Sequence, residues 1–255
     1  MNREYIEDRF HDQVALVVGG AQGIGKAISV RLAREGARVV IGDIDQAMMK
    51  RTAAEIADQG CSIRTVLCDV RRPRQIERMV ARVMGWYEQV DILMYVAGVA
   101  QSLPFVKTGE NEWDHIQDIN LKGAFLTARA VVPHMIKRRR GKLVFMSSTN
   151  AWDAEAELAS YNVSKVGIFL LCKTLARELG PYGINSNAVG PGLIRTRLAE
   201  PFIKNPKFMK RYKGLIPVGR IGLPEDVAGP ATFLASRDAD YVNGVLLFVD
   251  GGQLA

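Results

Sequence analysis

A glycine-rich turn between a strand pattern and a helix pattern is the feature that most restricts how this chain can fold. The apolar run Val14–Val18 leads into the turn, and a helical pattern continues from it to Glu35. Glycines permit a tight turn and let the backbone approach a pyrophosphate, while the helix start offers free N–H groups and a positive dipole end. The turn therefore predicts a dinucleotide site that includes Gly19, Gln22, Gly23, Ile24 and Gly25.

The rest of the chain alternates between short apolar runs and longer helical patterns. The predicted strands are Val14–Val18, Arg38–Gly42, Ser62–Leu67, Ile92–Val96, Lys142–Ser147, Asn185–Val189 and Val245–Val249. The predicted helices are Ile24–Glu35, Asp45–Gln59, Pro73–Glu88, a long one around Trp113–Lys137, and one around Ser160–Leu179. This alternation predicts an α/β fold, a Rossmann-type doubly wound sheet of about seven parallel strands with helices on both faces.

The length of 255 residues and the apolar share of 48% suit a single α/β domain that covers residues 1–255. One long interruption, residues 190–223, is rich in Pro, Lys and Arg and has no strand pattern. A long irregular segment in a compact domain is often a lid or a binding loop. Residues 190–223 are therefore expected to form a substrate lid within the domain.

Charge and cysteine content restrict the partners. The net charge is +7, but the basic cluster Lys137–Arg140 ends a helical stretch, where cations complement the helix dipole, so nucleic acid binding is not predicted. No apolar run approaches the roughly 20 residues of a membrane helix. Three cysteines and three scattered histidines match no metal-ligand spacing, so we expect no zinc centre and a reducing, cytoplasmic location.

The second strand pattern leads to Asp43, which is placed to select the cofactor. A carboxylate at this position accepts hydrogen bonds from the adenosine ribose hydroxyls and repels a 2′-phosphate. Ile44 follows it, and Gln22 lies inside the glycine turn, so neither place offers a cation for NADP. NAD is the predicted cofactor, with Asp43 and Ile44 at its adenosine end.

A second motif, Tyr161 and Lys165, lies on the predicted helix Ser160–Leu179. The i, i+4 spacing places both side chains on one helix face. Ser148 lies thirteen residues before the tyrosine, at the end of a predicted strand, and Asn120 lies on the preceding long helix.

Together with the G-x-x-x-G-x-G spacing of the turn, this ordered set resembles the short-chain dehydrogenase/reductase family over almost the whole chain. The resemblance implies that Asn120, Ser148, Tyr161 and Lys165 form the catalytic tetrad of an enzyme that moves a hydride between NAD(H) and a secondary alcohol or its ketone. Free tyrosine has a pKa of about 10, so Lys165 and the cationic nicotinamide are expected to favour the Tyr161 phenolate as the base. Ser148 is expected to stabilise charge on the substrate oxygen. The resemblance also implies that Lys165 binds the nicotinamide ribose and that Asn120 fixes a water that links Lys165 to solvent.

The resemblance also implies further cofactor contacts. They are expected from Asp69, Val70, Val96, Ala97, Gly98, Tyr161, Lys165, Pro191, Gly192, Ile194 and Thr196. The chain departs from the family at three positions, where Val18 replaces a Thr and Tyr95 and Val96 replace two Asn. We expect apolar packing of Val18 against Val96 to replace the lost polar bracing.

The substrate is expected to lie beside Ser148 and Tyr161, with Asn150 and Trp152 from the segment after Ser148 as a polar handle and a stacking plane. Such a pair would suit a sugar, a polyol or another small hydroxy compound. A 3-oxoacyl-[acyl-carrier-protein] reductase is the alternative, with Arg139 on a basic docking surface, and a non-catalytic NAD-binding protein is a rival from another class. The apolar residues Val163, Val166, Phe169, Leu170 and Leu175 exceed what one sheet face needs, so a homotetramer is expected.

Overall fold

The computed structural model describes residues 5–255, apart from the side chain of Lys213. Its centre is a parallel sheet of seven strands in the order β3-β2-β1-β4-β5-β6-β7. The strands are β1 (Val14–Val18), β2 (Arg38–Asp43), β3 (Ile63–Leu67), β4 (Ile92–Tyr95), β5 (Gly141–Met146), β6 (Ile184–Pro191) and β7 (Leu246–Val249). The predicted doubly wound sheet is confirmed, and no strand end differs from the sequence prediction by more than two residues.

The helices of the described residues cover both faces of this sheet. They are α1 (Gly23–Arg34), α2 (Gln46–Ala57), α3 (Pro73–Tyr87), α4 (Glu110–Gln117), α5 (Gly123–Arg138), α6 (Ala159–Leu179), α7 (Glu200–Ile203), α8 (Pro206–Lys213) and α9 (Pro224–Ala235). The segment 190–223, expected to be irregular, contains the short helices α7 and α8. No helix of residues 5–255 is long and apolar enough to cross a membrane.

Two hydrophobic clusters lie on opposite faces of the sheet, because alternate residues of each strand point to opposite sides. Leu16 of β1 packs in one cluster with α3, α5 and α6, whereas Val17 packs in the other with α1, α2 and α9. The strands β1 and β4 are buried on both faces, which explains why they read as continuous apolar runs.

The expected packing of Val18 against Val96 is wrong. Val18 belongs to the cluster that contains Tyr95, whereas Val96 packs against the cluster on the other face. The bracing comes instead from the backbone, because the Val18 carbonyl accepts hydrogen bonds from the N–H groups of Val96 at 2.8 Å and Ala97 at 2.9 Å. These bonds need no particular side chain at positions 18 and 96.

The predicted long helix is interrupted between α4 and α5 by a π-helical turn, Asp118–Lys122. A π turn inserts one residue and so releases a backbone carbonyl from the regular α-helical ladder. Here the buried Tyr95 hydroxyl donates to the Ile119 carbonyl. Gly123 makes room for it, since a Cβ at that position would collide with the Tyr95 hydroxyl. Tyr95, where the resemblance led us to expect an Asn, thus supports the turn that carries Asn120.

The sheet order reverses direction between β1 and β4, since β2 and β3 follow on one side and β5 to β7 on the other. Ligands of doubly wound sheets bind beyond the carboxyl ends of the strands at such a switch point. The loops after β1, β4, β5 and β6 meet there and carry most of the predicted site residues.

Candidate active site

A cleft of about 690 Å³ opens at this switch point. All of the residues predicted to contact the cofactor line it. They are Gly19, Gln22, Gly23, Ile24, Gly25, Asp43, Ile44, Asp69, Val70, Val96, Ala97, Gly98, Tyr161, Lys165, Pro191, Gly192, Ile194 and Thr196. Ser148 and Asn150 line the same cleft, whereas Asn120 and Trp152 do not.

The glycine turn at one end of the cleft has no space for side chains. Gly19 has a φ of +80°, and a Cβ there would lie 2.5 Å from the Ala97 backbone nitrogen. A Cβ on Gly25 would collide with the Gly19 carbonyl oxygen. Helix α1 begins directly from this glycine turn, and its N-cap residue, Gln22, makes no side-chain capping bond. The first turn of α1 therefore keeps N–H groups for an anion, and the cradle fits a pyrophosphate.

Asp43 stands at the carboxyl end of β2 and is held by backbone groups. Its Oδ2 accepts a hydrogen bond from the Ala21 N–H at 3.0 Å, and its Oδ1 accepts one from the Asp45 N–H at 3.1 Å. Each carboxylate oxygen keeps a lone pair for a further donor. The next side chain, Ile44, is 60% exposed and brings no cation to this end of the cleft.

Asp69 and Arg71 form an ion pair in the wall of the same end. The Arg71 Nη2 lies 2.8 Å from the Asp69 Oδ2, and its Nε lies 3.0 Å from Oδ1. This hydrogen bonding lowers the pKa of Asp69 and raises the pKa of Arg71. Arg71 lines the cleft too and was not among the predicted site residues.

At the other end of the cleft, Ser148 and Tyr161 lie within hydrogen-bonding reach of each other. Burial raises the pKa of Tyr161, and the hydrogen bond with Ser148 opposes that shift. The Ser148 Oγ also lies 3.1 Å from both the backbone nitrogen and the Oδ1 of Asn150. Asn150 is thus the residue that orients the serine, while its own Nδ2 donates to Asn162 at 2.8 Å.

Lys165 is buried one helical turn further along α6. Its Nζ donates to the Met146 carbonyl at 2.8 Å and lies 5.4 Å from the centre of the Tyr161 ring. Burial lowers the pKa of Lys165 to about 8. The Ser147 hydroxyl donates to the Lys165 carbonyl at 2.8 Å, which ties the end of β5 to the helix. The ammonium is therefore held against the strand edge with little water around it.

Asn120 lies behind the cleft wall and is fully buried. Its Nδ2 donates to the Val99 carbonyl and to the Ser164 hydroxyl, both at 3.0 Å, and its Oδ1 accepts from the Val99 N–H at 2.8 Å. These bonds join the loop after β4 to α6. In this structure Asn120 therefore fixes the framework around Lys165 and does not itself line the cleft.

The structure does not bring Trp152 to the place where the sequence analysis put it. The residue follows a short helical turn, Thr149–Ala151, and its ring packs edge-to-face on Phe248 of β7 with the centroids 6.4 Å apart. It is 74% exposed and lies outside the lining of the cleft. The indole thus packs on Phe248 and not in the cleft wall, and its role as a substrate contact stays a prediction.

Residues that the sequence analysis did not single out complete this end of the cleft. His115 lies on α4, Glu155 lies before α6, and Phe208 and Tyr212 lie on α8. The i, i+4 spacing of the two aromatic residues was a usable signal, because it puts both rings on one face of a short helix. Without the fold, nothing indicated that this face points toward Tyr161.

Known proteins are similar to this chain over nearly its whole length. A family model described as enoyl-(acyl carrier protein) reductase matches residues 19–253. Dehydrogenase/reductase SDR family member 4 of Bos taurus is 38% identical over 248 residues, which are 96% of this chain and 88% of that protein. L-rhamnose-1-dehydrogenase of Scheffersomyces stipitis is 37% identical over 245 residues, which are 94% of this chain and 95% of that protein.

A solved structure also superposes closely. It is that of a short-chain type dehydrogenase/reductase from Mycobacterium ulcerans, with a TM-score of 0.92 and 29% sequence identity. The superposition covers 96% of this chain and 90% of that chain. The fold and the order of its elements are thus shared over nearly all of both chains.

The glycine cradle generates the first prediction. Gly25→Ala should weaken NADH binding at least about tenfold, since the added methyl meets the Gly19 carbonyl and forces the turn open. Quenching or enhancement of NADH fluorescence measures the Kd. Gly85→Ala is the matched control, because Gly85 lies in α3 with nothing within 4 Å of an added Cβ. Equal binding by both variants would show that the turn does not hold the dinucleotide.

Proposed function

The chain belongs to the short-chain dehydrogenase/reductase family, and we propose that it is an NAD-dependent dehydrogenase that acts on a sugar, a polyol or another small hydroxy compound. Enzymes of this family transfer a hydride between a nicotinamide cofactor and a secondary alcohol or ketone, and this chain is such an oxidoreductase. The proposal rests on one observation above all. Ser148, Tyr161 and Lys165 lie at one end of a cleft whose other end fits a dinucleotide.

Asp43 supports NAD over NADP. Its carboxylate is pinned by the N–H groups of Ala21 and Asp45 at the adenosine end of the cleft. A fixed negative charge there suits ribose hydroxyls as hydrogen-bond donors and opposes a phosphate in their place. Arg71, the cation in the same wall, is already paired with Asp69.

Ser148 and Tyr161 would hold the substrate oxygen between their hydroxyl groups. When bound, the nicotinamide ring supplies the hydride acceptor for oxidation and the hydride donor for reduction. During oxidation Tyr161 takes the proton of the substrate hydroxyl, and during reduction it returns a proton to the same oxygen. Ser148 donates a hydrogen bond to that oxygen while negative charge develops on it.

Lys165 would act in two ways. Its ammonium, near the Tyr161 ring, favours the phenolate that serves as the base, and its donors can hold hydroxyls of the nicotinamide ribose. Asn120 would act indirectly, by fixing the loop at Val99 against α6. Its expected role in holding a water stays a prediction.

The similarity to L-rhamnose-1-dehydrogenase supports a polyhydroxy substrate. The alternative, a 3-oxoacyl-[acyl-carrier-protein] reductase, draws some support from the matching family model, whose description also names a reductase of acyl carrier protein substrates. The basic surface on which an acyl carrier protein would dock offers less free positive charge than the sequence indicated. Arg139 is exposed, but its guanidinium already donates to the Pro181 carbonyl at 2.7 Å and lies over the Tyr182 ring.

We also propose that the chain is one domain, that residues 190–223 form its lid, and that it assembles as a homotetramer. α8 lies over the substrate end of the cleft, which supports the lid. Val163, Val166 and Leu170 are exposed along α6, which supports assembly, whereas Phe169 and Leu175 pack against the core. Light scattering that shows a monomer at micromolar concentration would contradict the tetramer. The cytoplasmic location stays a prediction.

The cofactor proposal gives the second prediction. The wild-type protein should have a higher kcat/KM with NAD⁺ than with NADP⁺, and Asp43→Ala should reduce this preference about tenfold or more. Like charges a few Å apart near a protein surface repel by about 1–4 kcal/mol. The alanine removes this repulsion between the carboxylate and the 2′-phosphate of NADP⁺. Asp58→Ala, at the end of α2 and outside the cleft, removes the same charge as a control. A wild-type preference for NADP⁺ would reject the proposal.

The mechanism gives the third. Tyr161→Phe should lower kcat by a factor of at least about 100, the low end for general acid–base catalysis, while NADH binding and the melting temperature stay near normal. Tyr241→Phe, at a fully exposed tyrosine, is the control. Near-normal turnover of Tyr161→Phe would remove Tyr161 from the role of base.

The same experiment extends to Lys165. The charged form of Lys165 favours the Tyr161 phenolate, and this form predominates below the lysine pKa of about 8. Lys165→Met lacks this charge at every pH, so the pKa of Tyr161 rises, and the rising limb of kcat for oxidation should move to higher pH. Cofactor binding should weaken as well. An unchanged pH profile would show that Lys165 does not tune Tyr161.

A further inference from the structure

Tyr212 of the lid helix α8 is a second buried tyrosine at the substrate end of the cleft. Only 6% of its surface is exposed, and its ring stacks on Phe208 with the centroids 4.5 Å apart. The helix is held over the cleft from both sides. Arg211 lies 3.2 Å from Glu155 of the segment before α6, and Ile216 packs beside Tyr212 in a small hydrophobic cluster.

The Tyr212 hydroxyl has an unused proton. Gln253 Nε2 donates to the hydroxyl oxygen at 3.3 Å, so the oxygen serves as an acceptor there. A tyrosine hydroxyl both donates and accepts, yet the described residues provide no recorded acceptor for its proton. Burial, with the negative charges of Glu155 and Asp153 nearby, raises the pKa of Tyr212, so the group stays a neutral donor at physiological pH.

Gln253 is half-buried, and one atom of its side-chain amide is buried without a partner. Its Oε1 has no hydrogen-bond partner among the described residues and lies against Gly192, a residue of the cleft wall. A buried polar atom without a partner costs about 1–3 kcal/mol. Since the other amide atom is engaged by Tyr212, the orientation of Gln253 favours the tyrosine at the expense of its own oxygen.

Tyr161 and Tyr212 belong to the same end of the active-site cleft. Tyr212 contributes to raising the pKa of Tyr161, and both line the same cleft. A substrate held by Ser148 and Tyr161 therefore shares the cleft with the Tyr212 hydroxyl. The nearby cation, Arg211, is paired with Glu155, so the group offered to the substrate here is a neutral hydroxyl.

We propose that Tyr212 determines specificity by donating a hydrogen bond to a second hydroxyl oxygen of the substrate, close to the reacting carbon, and that Gln253 positions it. This inference rests on the proposed function and narrows its substrate class to vicinal diols and α-hydroxy ketones. A site with a buried donor discriminates against an analogue that lacks the matching oxygen, because the donor is then left without a partner.

The test compares ketones that differ by one hydroxyl group. Hydroxyacetone is paired with 2-butanone, and 2-hydroxycyclohexanone with 2-methylcyclohexanone, each reduced with NADH and with NADPH. The readout is the ratio of kcat/KM within a pair, which does not depend on the fraction of folded enzyme. The wild type should prefer the hydroxylated member, and Tyr212→Phe should reduce that ratio about tenfold, as expected for one lost hydrogen bond.

Tyr241→Phe is the matched control, since Tyr241 is fully exposed and lies outside the cleft. If Tyr212→Phe does not fold, Gln253→Leu decides, because it frees the Tyr212 hydroxyl from its orienting bond without changing α8, and it should lower the same ratio. An unchanged ratio in the variant that decides overturns the inference and leaves the proposed function standing. If the wild type turns over no ketone or alcohol with either cofactor, the proposed function fails and the inference fails with it.

Discussion

The close approach of three backbone segments at the glycine turn is the constraint on which the rest of the site depends. Gly19 lies against Ala97, and Gly25 lies against Gly19, at distances that leave no room for a Cβ. The Val18 carbonyl binds the N–H groups of Val96 and Ala97, which fixes the two strand ends relative to each other. The start of α1, the loop after β4 and the wall behind Lys165 all follow from that junction.

Much of this arrangement could be predicted from local sequence, and the part that could not depends on distant contacts. The strands were visible because a strand buried on both faces is continuously apolar. The π turn was not, because it depends on the Tyr95 hydroxyl, on the Ile119 carbonyl and on the missing Cβ of Gly123. The contact of Trp152 with Phe248 was hidden for the same reason, since Phe248 is far away in the sequence.

The burial of Lys165 in the active site lowers the stability of the folded state. Its pKa is about 8 in the folded protein, against 10.5 as the usual value, so the unfolded chain holds the proton more tightly. The penalty on folding is full below about pH 8 and fades as pH rises toward 10.5, where both states have lost the proton. At neutral pH the protein therefore keeps a buried ammonium that lowers its stability, as expected where function requires a charge in a place with little water.

The contacts of Gln253 also bear on the order in which the site is completed during synthesis. β1, with the glycine turn, lies inside the sheet and leaves the ribosome before the other strands, whereas β7 and the Asp250–Gln253 segment emerge after every other part of the cleft. The lid docks on that segment through Tyr212 and through the bond from the Val218 N–H to the Gly251 carbonyl. A nascent chain can thus form its dinucleotide half while the substrate half still lacks its support. The growing chain would therefore become able to bind the dinucleotide before it could bind the substrate.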